Sequence, residues 1–264
     1  MITLVEDTEI AFDDVGSGLP VVFLHAFPLN RTMWDPQVGA LVGDCRCIAM
    51  DFRGFGDSRA TPPYTVDRYA DDVATLLDTL QIERAVIVGL SLGGYVAFAM
   101  WRRHRARIRG LVLADTRASA DTAETLSRRR ALIHTARSQG ATAVANMQIA
   151  GLMGKSTRDR RPDIYDATHR VMAQTGVEGI VGGLEAMIAR PDSTDTLPTI
   201  DMPTLIVVGD EDVITPPKEA RRMHEGIVGS RMEVLHGAGH LSNVERPAAF
   251  NTVLSEFLGT LLYN

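Results

Sequence analysis

Residues 85–101 read AVIVGLSLGGYVAFAMW. Seventeen positions pass without a charge, and one serine, Ser91, stands at the centre with glycines two positions to either side. The run falls short of the roughly 20 apolar residues that a membrane-spanning helix needs. Its glycines divide it into an apolar run, a turn and a second apolar run. It reads as a buried strand over AVIV, a tight turn, and a helix over YVAFAMW. Gly89-Leu90-Ser91-Leu92-Gly93 fits the pattern G-x-S-x-G, which is weak by itself in a chain with 23 glycines among 264 residues. The setting between strand and helix gives it meaning. There the pattern is a nucleophile elbow, in which a strained serine projects above a sheet and the flanking glycines remove side chains that would clash.

The surrounding sequence has the rhythm that such an elbow requires. ITLVEDTEIAFDDVG reads as a hairpin ending in the turn GSG at 16–18. PVVFLHAF, CRCIAMD and GLVLAD join AVIVG as apolar runs consistent with strands buried on both faces. NRTMWDPQVGALVG and VDRYADDVATLLDTL read as helices between them. From about Thr116 to about Leu197 the strand-like runs stop. DTAETLSRRRALIHTARSQG and GVEGIVGGLEAMIAR read as helices, separated by polar loops around GKSTRDRRPD. The alternation resumes with TLIVVGDED, a helix over PKEARRMHEGI, the strand RMEVL and a final helix, PAAFNTVLSEFLGTLL. The expectation is an α/β fold: a mostly parallel central sheet flanked by helices. Its core spans 1–115 and 198–264, with a helical insertion at 116–197.

Composition narrows the function classes. At 45% hydrophobic, 23% charged and net charge −6, the chain is ordinary for a globular protein and unlike a nucleic-acid binder. The arginines at 128–130 and 158–161 read as a solvated helix face and a polar loop. Cys45 and Cys47, two apart on a strand, point the same way and read as buried apolar thiols rather than a disulfide or a zinc site. Such use of cysteine fits a cytoplasmic protein. MITLVEDTEIAF lacks the basic region and apolar run of a signal peptide, so neither secretion nor membrane attachment is expected. GFGDSR lacks the third glycine and the helix-opening context of a dinucleotide fingerprint.

A serine hydroxyl is a poor nucleophile at neutral pH and needs a base, which in turn needs an orienting acid. His240, in the glycine-rich stretch HGAGHLSN after RMEVL, is the candidate base; His236 falls at the strand's own end. The acid should come from LIVVGDED, where Asp210, Glu211 and Asp212 are all available and spacing does not choose among them. An oxyanion would be bound by the N–H of Leu92, after the nucleophile, and by an N–H from VVFLHAFPLN, with Phe27 the choice. His25 and Pro28 read as architecture holding that loop.

The order Ser91…Asp212…His240, the elbow GLSLGG, and the HAFPLN and DFRGFGDS loops together resemble the α/β-hydrolase superfamily over essentially the whole chain. The resemblance implies that residues 116–197 form a helical cap over the active site. It also implies that the acid is the third residue after the glycine in GDED, Asp212, and that Asp51 and Arg53 are structural. The family's usual early motif is His-Gly; here Ala26 stands second. GDEDVITPP and GAGHLSNVERP resemble more narrowly the branch with 3-oxoadipate enol-lactonases and small carboxylesterases.

A serine at the elbow, where related dehalogenases and epoxide hydrolases carry aspartate, implies acyl transfer from a small or medium ester or lactone to water. No metal and no organic cofactor are expected. The alternatives are perhydrolysis or carbon–carbon hydrolysis on the same residues, or a receptor of this fold that turns over little. His25, Met33, Trp34 and Leu90 are candidate lining of a substrate pocket, with core packing as the competing reading. Arg128 to Arg130 and Arg137 are candidates to meet a substrate carboxylate. Nothing in the sequence specifies an oligomeric state.

Overall fold

A computed structural model describes residues 1–262. Eight strands form one sheet: β1 (Ile2–Val5), β2 (Thr8–Gly16), β3 (Leu19–Leu24), β4 (Cys45–Met50), β5 (Ala85–Leu90), β6 (Ile108–Ala114), β7 (Thr204–Gly209) and β8 (Arg231–Leu235). Their spatial order is β1-β2-β4-β3-β5-β6-β7-β8. The first two strands make the expected hairpin, and β2 runs antiparallel to β4; every other pairing is parallel. The elbow strand β5 lies between β3 and β6 in the middle of the sheet.

The helices are α1 (Asp35–Leu41), α2 (Val66–Thr79), α3 (Leu92–His104), α4 (Ala123–Gln139), α5 (Ala141–Leu152), α6 (Lys155–Arg160), α7 (Pro162–Gln174), α8 (Val177–Ala189), α9 (Pro217–Gly226), α10 (Ser242–Glu245) and α11 (Pro247–Leu262). Alternate strand residues serve two separate cores, which is why the strands read as unbroken apolar runs. Val22, Leu24, Ile87 and Leu113 pack with α2, α3 and α9 on one face. Val21, Phe23, Val88 and Val112 pack with Trp34, α1 and α11 on the other.

Between β6 and β7 the chain makes five α-helices, a 3-10 helix at Thr194–Thr199 and no strand. One expectation there fails. The polar stretch GKSTRDRRPD is mostly helical: α6 carries an i,i+4 pair between Lys155 and Asp159, and Pro162 opens α7 at a position that needs no backbone N–H. Among the described residues, no helix is long and apolar enough to cross a membrane. Cys45 and Cys47 are free and buried.

Candidate active site

The elbow forms where the sequence places it. Ser91 stands between β5 and α3 with φ +55° and ψ −109°, a conformation that side-chain-bearing residues rarely adopt. The glycines explain how it is tolerated. A Cβ on Gly93 would overlap the carbonyl of Leu24, and one on Gly89 would overlap the carbonyl of Gly93. The strain is held from outside, since Ser91 N–H donates to Ala114 O at 3.0 Å and Thr116 Oγ1 donates to Ser91 O at 2.9 Å.

Ser91 Oγ lies 2.8 Å from His240 Nε2, and His240 Nδ1 lies 2.8 Å from Asp212 Oδ2. All three residues are buried, with Ser91 the most open of them. The partners assign the tautomer: Nδ1 carries the proton toward Asp212, which leaves Nε2 free to accept the serine O–H. Asp212 also accepts the N–H groups of Ile214 and Thr215 at 2.7 and 3.0 Å and the Thr215 hydroxyl at 2.7 Å. Burial acts to raise its pKa, but His240 and these donors outweigh it and hold the carboxyl below the usual carboxylate range.

The three consecutive acids of GDED have three different partners. Asp210 accepts the N–H of Gly237 at 2.7 Å and pairs with exposed His236 at 2.9 Å. Glu211 accepts the N–H of Ser156 at 2.7 Å, at the start of α6. Only Asp212 faces His240.

Among the described residues, the two N–H groups expected to receive an oxyanion are both left without an acceptor. Leu92 opens α3, so its N–H has no intrahelical acceptor. Among the described residues, the Phe27 N–H has no partner. The loop that carries Phe27 is pinned on both sides. Ala26 N–H donates to the sulfur of Met33 at 3.2 Å, and Thr175 Oγ1, at the end of α7, donates to Pro28 O at 2.8 Å. His25 is fully buried: Nδ1 donates to Ala26 O at 2.9 Å and Nε2 accepts the N–H of Phe52 at 3.0 Å. Burial pushes its pKa down, which keeps the ring neutral, as those two bonds require.

The pocket-lining expectation needs correction. His25, Trp34 and Leu90 have no solvent-accessible surface, so none of them lines a cavity. Trp34 packs against Phe23 and Phe250, and His25 against Phe52 and Phe55. Met33 opens instead onto a cleft of about 160 Å³ shared with Leu29, Val171 and Val244. Of the candidate carboxylate partners, Arg128 and Arg137 point outward to Glu124 and Glu185, and Arg130 is exposed. Arg129 turns inward. It joins Arg117 and Arg190 around the buried carboxylate of Asp121, and Arg190 also lies over the ring of Tyr95, 4.1 Å from its centre.

Three residues in this region were passed over in the sequence. Thr215 braces Asp212 and sits 3.2 Å from His240 Nδ1. Glu245 accepts the N–H groups of Gly239 and Leu241, on either side of His240, and that of Gly154 before α6. Asp115 follows β6 directly. The available signal was chemical type in place: polar residues at strand ends or within a few positions of a candidate acid or base.

A family model described as the α/β-hydrolase fold matches residues 20–247. The chain belongs to the α/β-hydrolase family. This hydrolase is 39% identical to an esterase from Thermogutta terrifontis solved with malate bound, with a TM-score of 0.94 over 96% of this chain and 94% of that one. An enol-lactonase from Burkholderia xenovorans matches with 31% identity and a TM-score of 0.92 over 98% of this chain and all of the other. By sequence, 3-oxoadipate enol-lactonase 2 of Acinetobacter baylyi is 32% identical over 88% of this chain and 85% of its own length.

Proposed function

We propose that this α/β-hydrolase cleaves a small or medium carboxylic ester or lactone through an acyl-enzyme on Ser91. The observation that carries the reading is the unbroken hydrogen-bonded run from Ser91 Oγ through His240 to Asp212, mounted on a strained elbow. Ser91 Oγ attacks the carbonyl carbon as its proton passes to His240 Nε2. The N–H groups of Leu92 and Phe27 receive the oxyanion. Asp212 stabilises the imidazolium, which then protonates the leaving alcohol or, in a lactone, the ring oxygen that remains tethered. A water, deprotonated by His240, releases the acid and restores the serine. These steps use no metal or organic cofactor.

In this reading residues 116–197 act as a cap. The contact of Thr175 with the Phe27 loop, and the bond from His240 N–H to Leu152 O at 3.0 Å, support that role. The free buried thiols support a cytoplasmic setting, and the partner is a small molecule rather than nucleic acid or membrane.

A narrower reading is a substrate that carries its own carboxylate, as in a 3-oxoadipate enol-lactone. It is favoured by three guanidinium groups gathered on the single carboxylate of Asp121, beside Tyr95, one helical turn beyond Ser91. In that case Arg117→Gln raises KM for the enol-lactone or for a half-ester of a dicarboxylic acid. KM for the matching uncharged ester is unmoved.

Turnover of p-nitrophenyl acetate and butyrate tests the main reading. Ser91→Ala should lower kcat by at least about 10⁴-fold, and Asp212→Asn by about the same factor through the wrong imidazole tautomer. Asp210→Asn should stay within about twofold, because an exposed pair with His236 contributes little. A wild type without burst or turnover that still binds ligand would make the protein a receptor of this fold. Loss of activity in Asp210→Asn but not in Asp212→Asn would reassign the acid.

A further inference from the structure

Asp115, the residue after β6, is fully buried and has φ +42°. A left-handed conformation at a residue with a side chain persists only when its surroundings enforce it. Here the enforcement comes from the carboxyl group. Oδ1 accepts the N–H of Gly209 at 2.9 Å; Oδ2 accepts the N–H of Ser242 at 3.3 Å and is bonded to the Ser242 hydroxyl. Gly209 ends β7 three positions before Asp212, and Ser242 follows His240 by two.

We propose that Asp115 is a positioning residue for the Ser91–His240–Asp212 run: its one carboxyl group fastens the strand end that leads to Asp212 to the turn that carries His240. This rests on reading that run as reactive. The distance between Asp212 Oδ2 and His240 Nδ1 is set by two loops from different parts of the chain, and Asp115 is bonded to both. Small errors in such a distance are costly, because the base must be aligned to within a fraction of an ångström.

The charges follow from the same arrangement. Two buried carboxyl groups close together do not both ionise. Asp212 has the imidazole and three donors; Asp115 is met by Gly209 and Ser242, which are neutral. Burial, and then the charge on Asp212, push Asp115 well above the usual carboxylate range. The Ser242 hydroxyl donates to Asp115 Oδ2, and of the two carboxyl groups it is Asp212, beside His240, that is held in the charged form.

The test reads the downfield proton resonance of His240 Nδ1–H, donated to Asp212, together with kcat and KM for p-nitrophenyl acetate. In Asp115→Ala the resonance should vanish or move upfield, with kcat down at least about tenfold and KM within about twofold. Asp115→Asn has the same shape, keeps an oxygen to accept the N–H of Gly209 and turns its amide toward the Ser242 hydroxyl, which can rotate to accept. It should restore the resonance and bring kcat to within about threefold of wild type. A folded Asp115→Ala with unchanged resonance and kcat overturns the proposal; so does Asp115→Asn behaving like Asp115→Ala, which would mean that a charge is needed. If Asp115→Ala does not fold, Ser242→Ala removes one arm of the clamp and should still shift the resonance; no shift and no loss of kcat overturns it. A wild-type spectrum without the resonance overturns it as well. Wild type with the resonance but without turnover removes ester hydrolysis and leaves the clamp standing.

Discussion

At Ser91 the backbone is bent into a conformation that its own side chain opposes, and the neighbours carry the consequence. Gly93→Ala would drive a methyl group into the Leu24 carbonyl, an atom of the adjacent strand that cannot turn aside. Overpacking of this kind costs about 1–3 kcal/mol, so the melting temperature should fall by several degrees, and under the proposed function turnover is lost with the elbow. Differential scanning calorimetry with p-nitrophenyl butyrate turnover checks both. The elbow was legible in the sequence because it is local: two glycines, a serine and their spacing fall within five residues. His240 was legible as a histidine in a glycine-rich loop after a late strand. Asp212 was not separable from Asp210 by spacing, because successive residues of an irregular loop point in unrelated directions. Trp34 and Leu90 were misjudged for a related reason. Nearness along the chain to the nucleophile, for Leu90, or to the HAFPLN loop, for Trp34, does not say whether a side chain points toward the reaction or into a core.

Among the elements, α8 depends most on what its side chains lack. Gly179 lies against the backbone of Gly54, Gly182 against the ring of Tyr64, and Gly183 against Phe27 and Phe55. The helix thus rests directly on two loops of the core, one of them carrying Phe27. Gly179→Ala would push it off the Gly54 carbonyl. Hydrogen exchange should then speed up across α8 while the amides of β5 keep their protection; equal protection in α8 would show that the contact is slack. The strands themselves were readable as apolar runs because both sheet faces are covered. The helices between β6 and β7 were readable in number only roughly. Charge density made the stretch over α6 look like a loop, although charged residues at i and i+4 suit a short exposed helix.

Across the whole molecule, stability should respond to pH in two opposite ways. Asp121 is held below its ordinary range, with burial outweighed by Arg129 and Arg190. Its contribution is present above the unfolded value of about 4 and is lost as pH falls through the folded one. Asp115 and Glu245 are raised, both chiefly by burial. Their contribution is complete below about pH 4 and drains away as pH rises toward their folded values. Thermal melts from pH 4 to pH 8 should therefore show a decline that Glu245→Gln makes shallower, since glutamine has no proton to lose. An unchanged slope in that variant would mean that Glu245 is ionised in the folded protein.

The long excursion between Ala114 and Thr204 also bears on how such a protein can change over time. About 90 residues leave the sheet and return to the strand beside the one they left, with Leu111 paired to Thr204 and Ala114 to Val207. The entropy of closing such a loop grows only as the logarithm of its length, so doubling it adds about 0.6 kcal/mol. The excursion can be lengthened, shortened or exchanged at almost no cost to strand pairing. The excursion, which under the proposed function caps Ser91, is thus free to diverge, while the strands that hold Ser91 stay as they are.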